Sequence, residues 1–183
     1  MQRTEALDLL KAHLYDENHI KHSLAVEAIM RGIAAHLGED VEKYGLTGLL
    51  HDIDYDTTGE DPQQHSLIGA QMLEEKGFPA DLVYAVKVHN EIHGLERKSL
   101  LDKALYCCDP TSGFITAAAL VRPDKQLANV EVKSLKKRFK EKAFARGANR
   151  EQMAACSEIG MKLEEFLAIS LQSMQQIAPE LGL

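Results

Sequence analysis

The chain has 183 residues, of which 45% are hydrophobic and 27% charged, and its formal net charge is −7. That length and balance suit a folded domain with a sizeable core and exclude a disordered polymer. An acidic chain without a dominant basic surface is also a poor candidate for nucleic acid, although residues 131–150 alone carry about +6 and the remainder about −13. Along the chain the pattern is helix after helix, with no convincing strand alternation. Thr4 is placed to cap a first helix reaching Leu14, and Asn18 a second that Gly38 closes. Asp40 caps a third, in which Gly45 and Gly48 allow a neighbouring helix to approach closely. Residues 53–62 read as a loop. Helices over 63–76 and 80–92 follow, stopped by Gly77 and Gly94. Ser99 starts a helix that Pro110 should kink or end, and residues 111–121 form a further apolar helix. The last candidates are 131–146, 150–160 and 162–177, separated by Gly147 and Gly160. Three cysteines, Cys107, Cys108 and Cys156, argue against a disulfide framework and for a reducing cytoplasm. No apolar signal core opens the sequence and no run approaches the roughly 20 residues of a membrane span.

At 100° per residue, His22 shares a face with Val26, Ile29, Ile33 and Leu37. His65 shares one with Ile68, Gly69 and Met72, and His89 one with Leu82, Ala85 and Val86. His51-Asp52 closes the run GLTGLL, and Asp109 ends an almost wholly apolar segment. Several imidazoles and two carboxylates are thus aimed inward, where an unpaired charge is costly. A bound metal accounts for all of them together. Mixed nitrogen and oxygen ligation suits Fe, Mn, Zn, Ni or Co. His19, one turn before His22, is the rival on that helix.

The order His22, His51-Asp52, His65, His89, Asp109, in the contexts HSLAVEA, GLLHDID, HSLIGAQML, AVKVHNEIHG and LDKALYCCD, resembles the HD superfamily of metal-dependent phosphohydrolases. The similarity covers roughly residues 18–121 and is greatest to the subset with two extra histidines. It implies an all-α helical bundle with a C-terminal helical extension, one HD-type domain over 1–183, with the metal-site core at about 18–121 and C-terminal helices at about 131–177. It implies that His22, His51, Asp52 and Asp109 hold a first metal. His65 and His89 would hold a second, with Asp52 bridging and positioning the nucleophilic hydroxide. The cofactors expected are two divalent ions per chain, with Mg a further option. The activity expected is hydrolysis of a phosphoester or phosphoanhydride on a small, nucleotide-like substrate. Tyr55 stands where several HD enzymes have Lys or Glu, and Asp54, Asp56 or Glu60 are the available substitutes. That departure keeps a nucleotide-binding or sensory module as the alternative. The Gly-Tyr-Pro signature of cyclic-dinucleotide phosphodiesterases is absent.

Around this set, His93 lies four residues after His89 and is a candidate substrate contact. Arg122, Lys137 and Arg138 are candidates for substrate phosphate. Asp102 is a candidate hydrogen-bond partner of a ligand imidazole, or a partner of Lys98. Cys107 and Cys108 read as small core residues. The partner expected is a small phosphorylated molecule, with no membrane, with nucleic acid disfavoured, and with a homodimer as an option.

Overall fold

The computed structural model describes residues 1–183 and contains helices and turns but no strand, as the sequence periodicity requires. The helices are α1 (Arg3–His13), α2 (Glu17–Leu37), α3 (Val41–Leu50), α4 (Tyr55–Thr58), α5 (Leu67–Glu75) and α6 (Ala80–Val88). They continue with α7 (Leu100–Leu120), α8 (Val132–Phe139), α9 (Arg150–Ala154), α10 (Leu163–Gln176) and α11 (Ala178–Leu181). The two longest, α2 and α7, run 21 residues each, roughly 30 Å. One cluster of 41 buried residues forms the core and draws on both ends of the chain, from Ala6 and Leu10 to Met174 and Leu181. Helix α10 packs against α2 and α7, so the C-terminal helices cover the core. No helix is long and apolar enough to cross a membrane.

Helices α2 and α3 meet backbone to backbone. A Cβ on Gly48 would lie 2.9 Å from the Val26 carbonyl oxygen and 3.0 Å from the Glu27 backbone, so only glycine permits this crossing. Buried Glu27 locks the same corner. Its oxygens accept from Arg3 Nε at 2.6 Å and from Arg31 Nε at 2.9 Å, and Arg31 also reaches Glu42 at 2.7 Å. A carboxylate is tolerated inside because two guanidinium groups satisfy it.

Several helix boundaries differ from the sequence expectation. Gln2 and Asp16, rather than Thr4 and Asn18, precede α1 and α2, and Asp16 accepts from the Asn18 N–H at 2.8 Å. Asp40 and Gly38 cap as expected, the latter at φ 73°. The 53–62 loop contains the turn of helix α4. Residues 63–66 form turns, because Ser66 takes φ 72° and prevents a helix from starting earlier than Leu67. Helix α6 stops at Val88, since Asn90 is extended and caps a short 3-10 turn, Glu91–His93. Pro110 does not end α7. Thr111, Ser112, Phe114 and Ile115 after it are buried, and the Thr111 and Ser112 hydroxyls donate to the Cys107 and Asp109 carbonyls at 2.7 and 2.8 Å. Tertiary burial therefore outweighs the missing N–H of proline. Residues 140–146, expected as helix, form turns beyond α8.

Gly48→Ala should destabilise the protein by about 1–3 kcal/mol through overpacking, although alanine is the better helix former by about 1 kcal/mol. Urea denaturation checks this, and an unchanged or raised midpoint would refute the backbone-contact account.

Candidate metal centre

Six side chains from five stretches of chain converge beside the α2–α3 crossing. His22 comes from the first turns of α2. His51 and Asp52 follow α3, His65 lies in the turn before α5, His89 caps α6, and Asp109 sits midway along α7. The Asp52 carboxylate is at the middle. Its Oδ2 lies 3.4 Å from His22 Nε2 and 3.3 Å from His51 Nε2, and its Oδ1 lies 3.4 Å from His65 Nε2 and 3.3 Å from His89 Nε2. Asp109 Oδ1 joins the first pair, 3.1 Å from His22 and 3.8 Å from His51. Each Asp52 oxygen thus faces two imidazoles.

The far nitrogen of every ring is occupied. His51 Nδ1 donates to the Gly48 carbonyl at 2.8 Å, and His89 Nδ1 to the Val86 carbonyl at 2.6 Å. Ser112 Oγ spends its proton on the Asp109 carbonyl and therefore accepts from His22 Nδ1 at 3.0 Å. His65 Nδ1 meets Asp54 Oδ1 at 2.9 Å. With Nδ1–H engaged, each neutral ring presents the Nε2 lone pair inward, the tautomer a metal needs. Asp54 is fully enclosed, and its Oδ2 also accepts the Ser66 and Gly69 N–H groups at 2.8 Å each. The left-handed Ser66 is a strained conformation for a non-glycine residue, and this anchor fixes it.

Burial opposes charge on His22, but the Asp109 and Asp52 carboxylates outweigh it and hold the imidazole up at about 9. Burial likewise opposes charge on His51, where Asp52 and Asp109 again prevail and raise it well above its usual value. Burial pushes the Asp52 and Asp109 carboxyls up. The surrounding imidazoles more than reverse this, leaving both below the ordinary carboxylate range. Burial also lowers His65, while Asp54 and Asp52 raise it further. In the metal-free protein, protons on His22 and His51 balance the carboxylates. A divalent cation among the same Nε2 atoms performs that balancing without protons, so this donor set can hold one.

The cluster opens to solvent on one side. His51 and His89 are enclosed, whereas the side chains of His22 and Asp109 are 27% and 30% exposed. A cavity of about 320 Å3 beside them is floored by Gly113 and walled by Ala145 and Ala148. The largest cavity, about 1090 Å3, lies elsewhere, between α5 and α6, and carries no residue of the cluster.

The remaining expected residues are placed differently. His93 points away from the cluster and contacts the His65 carbonyl at 2.9 Å; the helix break at Asn90 removes the shared face with His89. Asp102 orients no imidazole. It caps α7 by accepting from the Lys98 and Ser99 N–H groups at 2.9 Å. Arg122 pairs with Asp124 at 3.0 Å, roughly 20 Å along the chain's helical path from Asp109. Lys137 is exposed on α8, and Arg138 lies over the Phe144 ring at 4.5 Å; neither lines the cavity beside His22. His19 pairs with Asp56 outside the cluster, and Tyr55 stands edge-on to His65. Neither Asp54 nor Asp56 is free to replace the Lys or Glu absent at Tyr55, and Glu60 is exposed. All three cysteines are free and buried. Sequence reasoning missed Asp54 as the anchor of His65 and Ser112 as the anchor of His22. The pattern His-Asp-Ile-Asp, with a second carboxylate two residues after the first, was the available signal for Asp54.

Asp54→Ala should weaken Mn2+ binding about 10–100-fold by freeing His65 to rotate, measured by equilibrium dialysis with circular dichroism as the control for folding. Unchanged affinity would remove Asp54 from the site. Metal uptake should also release protons. His22 must lose its proton to ligate, so affinity should rise with pH up to about 9. Calorimetry in two buffers of different ionisation enthalpy reads the proton count, and zero release at neutral pH would contradict this.

The HD domain family model matches residues 20–113. Ribonuclease Y of Nitratidesulfovibrio vulgaris strain DP4 is 38% identical over 77 residues, covering 42% of this chain and 15% of that protein. Ribonuclease Y of Desulfotalea psychrophila is 35% identical over 99 residues, 54% of this chain and 19% of that protein. Ribonuclease Y of Thermosipho melanesiensis is 31% identical over 150 residues, 75% and 27% respectively. These relatives are several times longer than the stretch they share. Their name denotes an enzyme of RNA, which overturns the expectation that nucleic acid is disfavoured and a small nucleotide the partner. Net charge was the wrong guide, since it averages the basic segment 131–150 against an acidic remainder. With the family model spanning slightly more than half of an all-helical chain, this protein belongs to the HD domain family.

Proposed function

We propose that this chain is a metal-dependent phosphohydrolase that cleaves RNA phosphodiester bonds, with His22, His51, Asp52, His65, His89 and Asp109 as its metal ligands. The observation that carries the reading is the Asp52 carboxylate, with two imidazole Nε2 atoms within 3.4 Å of each oxygen. These six side chains would hold divalent ions, two per chain in this reading, from Fe, Mn, Zn, Ni or Co, with Mg a further candidate. When bound, such ions supply Lewis acidity toward phosphoryl oxygens and lower the pKa of water towards about 7. The chain's own residues set the geometry. The Gly48, Val86, Ser112 and Asp54 anchors hold the four rings with Nε2 inward. The enclosed His51 and His89 exclude bulk water from the inner side, so a phosphodiester enters on the His22–Asp109 side. Hydrolysis adds water to phosphorus and breaks one P–O bond, leaving one RNA fragment with a phosphate and the other with a hydroxyl.

The RNA substrate rests on the relatives' name and on the basic turn beside the cavity. We further propose that residues 1–183 form one HD-type domain, which the shared core supports. A cytoplasmic location belongs to the same reading, supported by three unpaired cysteines.

Metal-loaded protein should cleave a single-stranded RNA oligonucleotide. Removing an outer partner of a ligand already costs about 10–100-fold, so Asp52→Ala or His51→Ala should lose more than about 100-fold together with bound metal. Gel-resolved cleavage and elemental analysis of the same samples test this. Activity persisting in a metal-depleted Asp52→Ala variant would sink the mechanism.

A further inference from the structure

Three cavities lie in series along the open side of the cluster. The first, about 300 Å3, includes Lys21, His22 and Gly113. The second, about 320 Å3, includes His22, Gly113, Asp109 and Ala148. The third, about 510 Å3, includes Ala148, Lys142 and Arg146. His22 and Gly113 join the first to the second, and Ala148 joins the second to the third. The candidate metal centre therefore lies beside the middle one of three adjoining cavities, with Lys21 at one end and Lys142, Arg146 and Arg150 beside a single carboxylate, Glu151, at the other. Each compartment is the size of a small-ligand pocket, about 300–1,000 Å3.

Two features make this track a built surface. Gly113 sits in the middle of α7, where glycine weakens a helix, yet nothing lies within 4 Å of where its Cβ would be. Packing does not require the glycine; the clear floor between the first two cavities does. The third compartment is held by Arg150, whose guanidinium donates to the carbonyls of Phe139, Phe144, Ala145 and Ala148 and lies over the Phe114 ring at 4.5 Å. This guanidinium pairs with no carboxylate. It fixes the turn after α8 onto α7, and Lys142 and Arg146 project from that turn, exposed and without ion-pair partners.

We infer that Lys142 and Arg146, with Lys21 on the opposite side, bind backbone phosphates flanking the scissile bond of a single RNA strand laid across Gly113. This rests on the RNA reading above and adds the residues that select a polymer over a small phosphodiester. Lys142 and Arg146 have no ion-pair partner and Lys21 has only the exposed Glu17 at 3.6 Å, so recognition is through phosphate and tolerant of base sequence.

The test compares steady-state cleavage of a single-stranded RNA dodecamer with that of a dinucleotide by metal-loaded protein. The Lys142→Ala/Arg146→Ala double variant should raise the dodecamer KM about tenfold with kcat within about twofold. It should also flatten the dependence of log kcat/KM on log salt by about 1.4, because two phosphates of the single strand are no longer neutralised. Gly113→Leu, which the open space above Gly113 accommodates, should reduce dodecamer kcat/KM more than dinucleotide kcat/KM. An unchanged dodecamer KM and salt slope in the double variant overturns the track while leaving RNA hydrolysis intact. Equal cleavage of duplex and single strand by the parent also overturns it. A parent that cleaves neither RNA substrate overturns both readings.

Discussion

The Asp52 carboxylate has left bulk water without leaving its charge behind, and much of the local structure answers that fact. An isolated carboxylate in such a place would be protonated or would unfold its surroundings. Here four imidazoles stand at its two oxygens, two to each. The imidazoles come from three helix ends or turns and one helix interior, so the carboxylate ties together elements far apart in sequence. A divalent ion within the same donors would strengthen the tie, because it replaces protons that titrate with charges that do not.

Helix ends are suited to this work. His51 and His89 each follow the last residue of a helix, where the carbonyls three residues earlier lack an intrahelical partner. Those carbonyls, of Gly48 and Val86, take the ring Nδ1–H groups. One hydrogen bond thereby satisfies a helix terminus and orients a ring. His22 lies inside a helix with no free carbonyl and needs Ser112 from α7 instead. His65 lies on a turn and needs a buried carboxylate, Asp54, which also binds the turn's own amides. Gly48 takes part twice, through its carbonyl and through the close α2–α3 crossing that brings His22 and His51 together.

The six clustered residues were legible in the sequence because each sits on an apolar face or at the end of an apolar run, and inward polar residues at several separate places demand a common explanation. Their partners were not legible. Ser112 and Asp54 are ordinary residues whose role depends on a hydrogen bond across the fold, which periodicity does not encode. Asp102 shows the reverse error, since its place near the Asp109 face suggested an orienting role while local geometry made it a helix cap. His93 failed because Asn90 broke the helix that would have placed it beside His89. Pro110 misled in the same way. A local rule ended the helix there, and burial of Thr111, Ser112, Phe114, Ile115, Ala118 and Ala119 carried it through.

The substrate expectation failed for a related reason, that a sum over the chain conceals where charges stand. A polyanion approaching an acidic protein is repelled on average, and at a Debye length of about 8 Å it feels only what is near. Near the open side of the cluster stand Lys21, Lys142 and Arg146, while much of the negative charge is spread over α1, α3, α5 and their turns. The cationic turn is short and irregular, and by itself would not hold a shape. Arg150 gives it one by inserting a guanidinium beneath it, against Phe114 and four carbonyls. That guanidinium is placed where burial lowers its pKa, so the fold bears a desolvation cost for the sake of a fixed turn. The same helix, α7, presents Asp109 to the cluster, Gly113 to the track and Phe114 to Arg150 along one short stretch. Its unbroken passage through Pro110 therefore keeps the metal-ligand candidate Asp109 and the support of the cationic turn on one helix.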